Sequence, residues 1–167
     1  MSAYLKKIMS LAQAVKTSEK LAKASKQVVF TNGCFDLLHP GHLRYLDQAR
    51  GLGDFLMVGL NSDSSIRKIK GPNRPVRNQA ERAEMLAGLG MVDGIVIFDE
   101  ETPLNVIKAL KPRLLVKGGD WGISEIVGSE VVLGSGGEVR SLTLEKGFST
   151  TSLIERVAKA YAAESGQ

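Results

Sequence analysis

Two histidines, His39 and His42, stand three residues apart in Thr31-Asn32-Gly33-Cys34-Phe35-Asp36-Leu37-Leu38-His39-Pro40-Gly41-His42, and they are the only histidines of the chain. The string follows the short apolar run Val28-Val29-Phe30 and leads into a helical pattern. At such a helix entrance, free backbone N–H groups and the positive end of the dipole already favour a phosphate. Each imidazole can donate a hydrogen bond to phosphate oxygens whose charge grows in a transition state. Gly41 lets the backbone approach a ligand, and Pro40 stiffens the turn. The plain alternative is two packing histidines. Zinc suits the pair less well, because no Cys or Glu cluster accompanies it to complete a shell, and no residue is assigned here as a metal ligand.

Three further segments could serve the same chemistry. Asn61-Ser62-Asp63 is followed by the basic residues Arg67, Lys68, Lys70, Arg74 and Arg77. Such a stretch is commonly a solvated face. Gly71-Pro72 and Arg74-Pro75 interrupt it, so it reads as a shaped loop carrying cations to a polyphosphate, mobile when empty and closing on the ligand. Glu81-Arg82 beyond it reads as a structural ion pair, with substrate contact as the other option. Val116-Lys117-Gly118-Gly119-Asp120-Trp121 is either a plain turn or a ligand loop. Ser149-Thr150-Thr151-Ser152 is a run of hydroxyls suited to a helix cap and to a phosphate site. No P-loop, dinucleotide glycine motif or nucleophile elbow is present. The site offers positive groups and N–H donors without a covalent nucleophile, which suits attack of one phosphate oxygen on another phosphorus.

These segments need a scaffold that brings loop ends together. Short continuous apolar runs over residues 28–31, 55–60, 94–98, 114–116 and 139–144 alternate with helical patterns over residues 42–51, 78–89, 103–110 and 149–158. That alternation predicts an α/β fold with a Rossmann-like, doubly wound, five-stranded parallel sheet covered on both faces. The motifs all follow predicted strands, where ligands bind in such sheets. Residues 3–24 predict one amphipathic opening helix, giving an N-terminal helical extension over residues 1–26 and a catalytic domain over residues 27–167. Thr102-Pro103 is expected to cap the helix that follows. The glycine-rich segment 118–137 resists division.

Composition narrows the partners. The 167 residues carry a net charge of +4 with 5% aromatics. Without a Lys/Arg tail or stacking aromatics, a small phosphorylated substrate fits better than nucleic acid, which is not expected as a partner. The single cysteine, Cys34, suits a reducing compartment and reads as a small buried residue. No apolar run is long enough to span a membrane and no export signal is read, so a cytoplasmic location is expected.

Together FTNGCFDLLHPGH, NSD, KGPNRPV, ERAEML, LLVKGGDW, GGEV and GFSTTSLI resemble the cytidylyltransferase-like family of the nucleotidyltransferase superfamily over residues 28–157. Within it they are most similar to the heptose 1-phosphate adenylyltransferase group. The resemblance implies sheet order 3-2-1-4-5, a homodimer and Mg²⁺. It further implies that ATP and D-glycero-β-D-manno-heptose 1-phosphate give ADP-heptose, a precursor of the lipopolysaccharide core, and pyrophosphate. By the same resemblance His39, His42 and Lys70 are catalytic. Gly33, Phe35, Gly41, Asp63, Lys117, Gly119, Asp120, Ser149, Thr150 and Thr151 bind the nucleotide. Asn32, Cys34, Asp36 and Arg74 bind the sugar phosphate. Where several cytidylyltransferases have Arg-Thr-x-Gly, this chain reads Leu144-Glu145-Lys146-Gly147, which favours ATP over CTP. A glycerol-3-phosphate-type cytidylyltransferase and a non-catalytic nucleotide-binding module are the rival readings.

Overall fold

Five parallel strands carry the architecture of the computed structural model, which describes residues 2–144 and 147–164. They are β1 (Val28–Gly33), β2 (Phe55–Asn61), β3 (Gly94–Phe98), β4 (Leu114–Gly118) and β5 (Glu138–Leu142). Their order in the sheet is β3-β2-β1-β4-β5, as expected from sequence. The order reverses at β1, which pairs on one side with β2 (Val29 with Leu56) and on the other with β4 (Val29 with Leu114). That reversal opens a crevice beyond the carboxyl ends of β1 and β4.

Alternation along each strand divides the core between two faces. On one face, Val29, Leu56, Val58 and Leu60 pack against Tyr45, Leu46 and Ala49 of α2 (Pro40–Arg50) and Ala83, Leu86 and Ala87 of α4 (Gln79–Ala87). On the other, Val28, Phe30, Met57, Val96 and Leu115 pack against Ala14 of α1 (Leu11–Lys23). Val106, Ile107 and Leu110 of α5 (Leu104–Leu110) and Val132 of α6 (Ser129–Gly134) complete that layer. α3 (Asp63–Lys70) and α7 (Thr150–Glu164) flank the carboxyl edge of the sheet.

Several local expectations need correction. The opening helix is broken: a 3-10 turn over Ala3–Lys7 and α1 are separated by Ser10, which starts α1 with a capping box to Gln13. Between them Ile8 bridges Ile95 and the Met9 N–H donates to the Ile95 carbonyl at 3.0 Å, covering the exposed edge of β3. Three of the five basic residues are helical, since Arg67, Lys68 and Lys70 belong to α3 and the loop begins at Gly71. Thr102 makes no cap; Pro103 holds the N-cap position of α5 without a side-chain bond. β5 stops at Leu142. The glycine-rich segment contains a 3-10 turn over Ile123–Glu125 and then α6.

Candidate functional site

The His39-Pro40-Gly41-His42 string starts α2. His39 is the N-cap in extended conformation, Pro40 takes a first-turn position that needs no N–H, and the His39 Nδ1 accepts from the His42 N–H at 3.4 Å. This bond leaves the His39 Nε2–H free to face a ligand. The two rings stack at 3.7 Å between centroids, and the Phe35 ring lies 5.2 Å from His42. Gly41 is required by closeness: a Cβ there would come within 3.0 Å of Phe148 Cβ and 3.1 Å of His39 Nδ1.

Burial, then the neighbouring charges of His39 and Lys70, pull the His42 imidazole down to a pKa of about 4. It is therefore neutral at physiological pH. Its Nδ1 is buried with no hydrogen-bond partner among the described residues. Burial also lowers the His39 pKa, against a smaller opposing effect of its backbone bond. A neutral, partly buried imidazole pair at a helix start offers N–H donors suited to an anion.

A cavity of about 270 Å³ supplies the place for it. His39, Gly41 and His42 form one wall, Lys70 and Arg74 another, and Ser149, Thr150 and Thr151 a third. Lys70 reaches it from the last turn of α3, where a cation suits the dipole. Ser149 caps the first turn of α7, accepting from the Ser152 N–H at 3.0 Å, so the hydroxyls of Thr150 and Thr151 stand at a helix N-terminus. Arg74 gives its Nε–H to Asp36 at 2.6 Å, while its Nη2 is buried without a partner among the described residues.

His42 and Leu144 connect this cavity to a second of about 140 Å³, lined by Asn32, Gly33, Cys34, Phe35 and Lys117 at the ends of β1 and β4. Burial lowers the Lys117 pKa, with the nearby Cys34 sulfur opposing it. Tyr45 closes the floor: its hydroxyl meets Thr31 at 2.5 Å and the Val116 carbonyl at 3.3 Å, and burial pushes its pKa to about 12. Phe35 holds a left-handed φ of 43°, a backbone conformation rare outside glycine.

The structure thus brings together His39, Gly41, His42, Lys70, Arg74, Ser149, Thr150 and Thr151 in one cavity and Asn32, Gly33, Cys34, Phe35 and Lys117 in the next. Asp36, Asp63, Gly119 and Asp120 line neither. The buried Asp36 carboxylate accepts from Arg74, from the Val76 N–H at 2.8 Å and from the Arg77 N–H at 3.0 Å. Burial alone would raise its pKa, but the Arg77 and Val76 amides and then Arg74 outweigh that and hold it below the usual range. Asp63 binds Arg82 at 2.8 Å. Gly119 turns the chain with φ +116° after β4, which only glycine adopts without strain, and Asp120 is exposed beside it.

The expected ion pair between Glu81 and Arg82 is not formed. Glu81 instead caps Asn78, and the fully buried Arg82 guanidinium donates to the carbonyls of Cys34, Asn61 and Arg77 as well as to Asp63. It ties the loops after β1 and β2 to the Arg74 loop, and its place among Ala83, Leu86 and Ala87 on the buried face of α4 was the available signal. Phe148 was also missed. Its ring lies 6.3 Å from His39 and the Arg44 guanidinium lies over it at 5.3 Å, and an isolated aromatic in a loop gives no periodic sign.

A parallel sheet with this strand order carries a histidine pair and cations at its carboxyl edge. The profile of the cytidylyltransferase-like proteins matches residues 30–156, and the chain belongs to that family. It is 55% identical over 139 residues to "Bifunctional protein HldE" of Geobacter sulfurreducens, covering 83% of this chain and 28% of the relative. It is 52% identical over 155 residues to the protein of the same name from Geotalea uraniireducens, covering 93% and 31%. The chain therefore spans about three-tenths of the length of these relatives. Among solved structures, a lipopolysaccharide core biosynthesis protein from Thermoplasma volcanium superposes with TM-score 0.59 and 25% identity, over 74% of this chain and 99% of that one. Pantoate-beta-alanine ligase from Francisella tularensis shares the fold with TM-score 0.54 and 16% identity, over 83% and 67%.

Proposed function

We propose that the chain is an adenylyltransferase that converts ATP and D-glycero-β-D-manno-heptose 1-phosphate to ADP-D-glycero-β-D-manno-heptose and pyrophosphate. The observation that carries the transfer chemistry is the unpartnered Nδ1 of a neutral His42, stacked on His39 in a cavity that also holds Lys70 and Arg74. The choice of ATP and of a heptose acceptor rests on the resemblance through KGPNRPV and VKGGDW and on Leu144 in place of arginine. The names of the curated relatives are in keeping with it.

An oxygen of the sugar 1-phosphate attacks the α-phosphorus of ATP. The new O–P bond forms as the bond to the β,γ-diphosphate breaks, and pyrophosphate leaves with the bonding electrons. The two histidines donate to phosphate oxygens as charge shifts, and Lys70 neutralises the α-phosphate and the incoming phosphate. Arg74 and the first turn of α7 hold the remaining phosphate oxygens. Mg²⁺ would enter with ATP as part of the substrate and would supply charge neutralisation at its phosphates. The working unit is a cytoplasmic homodimer on the same resemblance, for which light scattering on the purified chain is the measure. No helix among the described residues is long and apolar enough to cross a membrane.

The reaction is tested by product analysis. The purified chain is given equal ATP, CTP, GTP and UTP with Mg²⁺ and heptose 1-phosphate, and products are identified by mass. ADP-heptose as the main product supports the reading. Intact substrates would leave the non-catalytic binding module as the better account.

A further inference from the structure

One buried titratable group beside the crevice has no part in the chemistry above. Tyr45 packs in the core beneath the strand ends, where a phenylalanine ring would fill the same space with no hydroxyl to satisfy. The sheet shows what the hydroxyl is for. β1 stays paired with β2 as far as Gly33 and Leu60, but its ladder with β4 runs over Val29–Leu114 and Phe30–Leu115 and stops there. The two strands part at the next residues, Thr31 and Val116. The Tyr45 hydroxyl stands in that gap, 2.5 Å from the Thr31 hydroxyl and donating to the Val116 carbonyl at 3.3 Å. Asn32 and Lys117, one residue further along each strand, line the cavity of about 140 Å³ that the parting opens.

The same side chain belongs to the helix that carries His42. Tyr45 lies three residues after His42 in α2, so the two share a face of the helix, and both line that cavity. Leu46 and Ala49 hold α2 on the sheet by apolar contact, which is non-directional. Arg50 fixes the far end of the helix through Asp93 at 2.7 Å. Near the histidines, the directional contact with the strands is the Tyr45 hydroxyl.

We propose that Tyr45 is a positioning residue: its hydroxyl bridges the parted ends of β1 and β4 and so fixes where His42 stands relative to Asn32 and Lys117. The proposal rests on the nucleotidyl-transfer reading above and adds a residue that acts through His42. Loss of the bridge leaves the ring in place but lets the first turn of α2 settle differently over the crevice. The phosphate contacts of Lys70, Arg74 and α7 come from other elements, so substrate binding is spared and the cost falls on turnover.

Tyr45→Phe keeps the ring and removes the bridge. We expect a kcat about 10-fold lower, the scale of a small misplacement of a group aimed at the reacting phosphate, with KM for ATP and for heptose 1-phosphate within about twofold. Thr31→Val should act in the same direction, and the double variant should lose less than the product of the two losses, because both break one junction. Thr31→Ser keeps a hydroxyl and should stay within about twofold of wild type. A hydroxyl that served stability alone would lower the melting temperature and leave kcat unchanged. A second readout needs no turnover. The chain has two histidines, so their imidazole proton resonances are easily followed, and that of His42 should shift in both variants without substrate. Should Tyr45→Phe fail to fold, Thr31→Val carries both measurements. An unmoved His42 resonance, or an unchanged kcat in the folded variants, would overturn the proposal even if wild-type turnover upheld the reaction. A shifted His42 resonance in a chain that transfers no nucleotide would uphold the bridge and sink the reaction.

Discussion

Asp36 and Arg74, 38 residues apart in sequence, meet at 2.6 Å, and the same carboxylate takes the N–H groups of Val76 and Arg77. One buried acid thus folds the loop after α3 back onto the loop after β1. The Arg74 guanidinium is held at the cavity beside His39 and His42, with its Nη2 unpartnered among the described residues.

This latch predicts slow amide hydrogen exchange at Val76 and Arg77 before any ligand binds. Asp36→Asn should accelerate both and cost roughly 3–5 kcal/mol, the range for breaking one side of a buried pair. Fast exchange at both amides in the unliganded wild type would show that the loop is mobile when empty, as its Gly, Pro and repelling charges alone suggest.

His42→Ala and Lys70→Ala should each lower turnover by roughly 10²-fold or more with little change in thermal unfolding, since each removes one preorganised donor to developing charge. Steady-state pyrophosphate release with a parallel melting curve checks this. Turnover near wild type in either variant would remove that residue from the mechanism.

Arg82 anchors rather than reacts. Arg82→Met should destabilise the protein by about 3 kcal/mol or more, because it strands the Asp63 carboxylate and three carbonyls. Arg82→Lys should not restore it, since one ammonium cannot span acceptors set around a planar fork. Urea unfolding gives the numbers. A loss under ~1 kcal/mol for Arg82→Met would deny the anchor role.

Acid should weaken the fold through His42. Its pKa falls from 6.5 to about 4 on folding, so between those values the unfolded chain binds a proton that the folded one refuses. Stability is therefore full above pH ~6.5 and declines as pH falls towards 4. His39, lowered in the same direction, adds to the slope. Asp36 is also lowered, but its contribution is lost only at more acid pH, below the ordinary Asp value of 3.8. Melting temperature measured from pH 7.5 to 4.5 should fall less steeply in His42→Asn than in wild type. Parallel curves would contradict the burial of a neutral His42.

The five strands and the cluster around His39 and His42 were legible because strand periodicity and contiguous motifs are local signals, whereas the sheet order and the place of Lys70 came from the family resemblance those motifs carry. What escaped the sequence depends on contacts between distant segments. Ser10 breaks a helical pattern because Ile8 and Met9 have an edge strand to cover, which periodicity over residues 3–24 cannot register. Asp36 and Asp63 carry the residue type of ligands, yet each is claimed by an arginine arriving from elsewhere in the chain. Tyr45 meets Thr31 and Val116 only because β1 and β4 part beside α2. Their spacing in sequence carries no trace of this.

The substrate pair is the central claim, and initial rates of pyrophosphate release test it directly. ATP and CTP are each paired with heptose 1-phosphate and with glycerol 3-phosphate at matched concentrations. Buried polar groups left unpaired by the wrong base or acceptor can discriminate strongly, so ATP with heptose 1-phosphate should be the fastest of the four. CTP with glycerol 3-phosphate as the fastest pair would contradict the account.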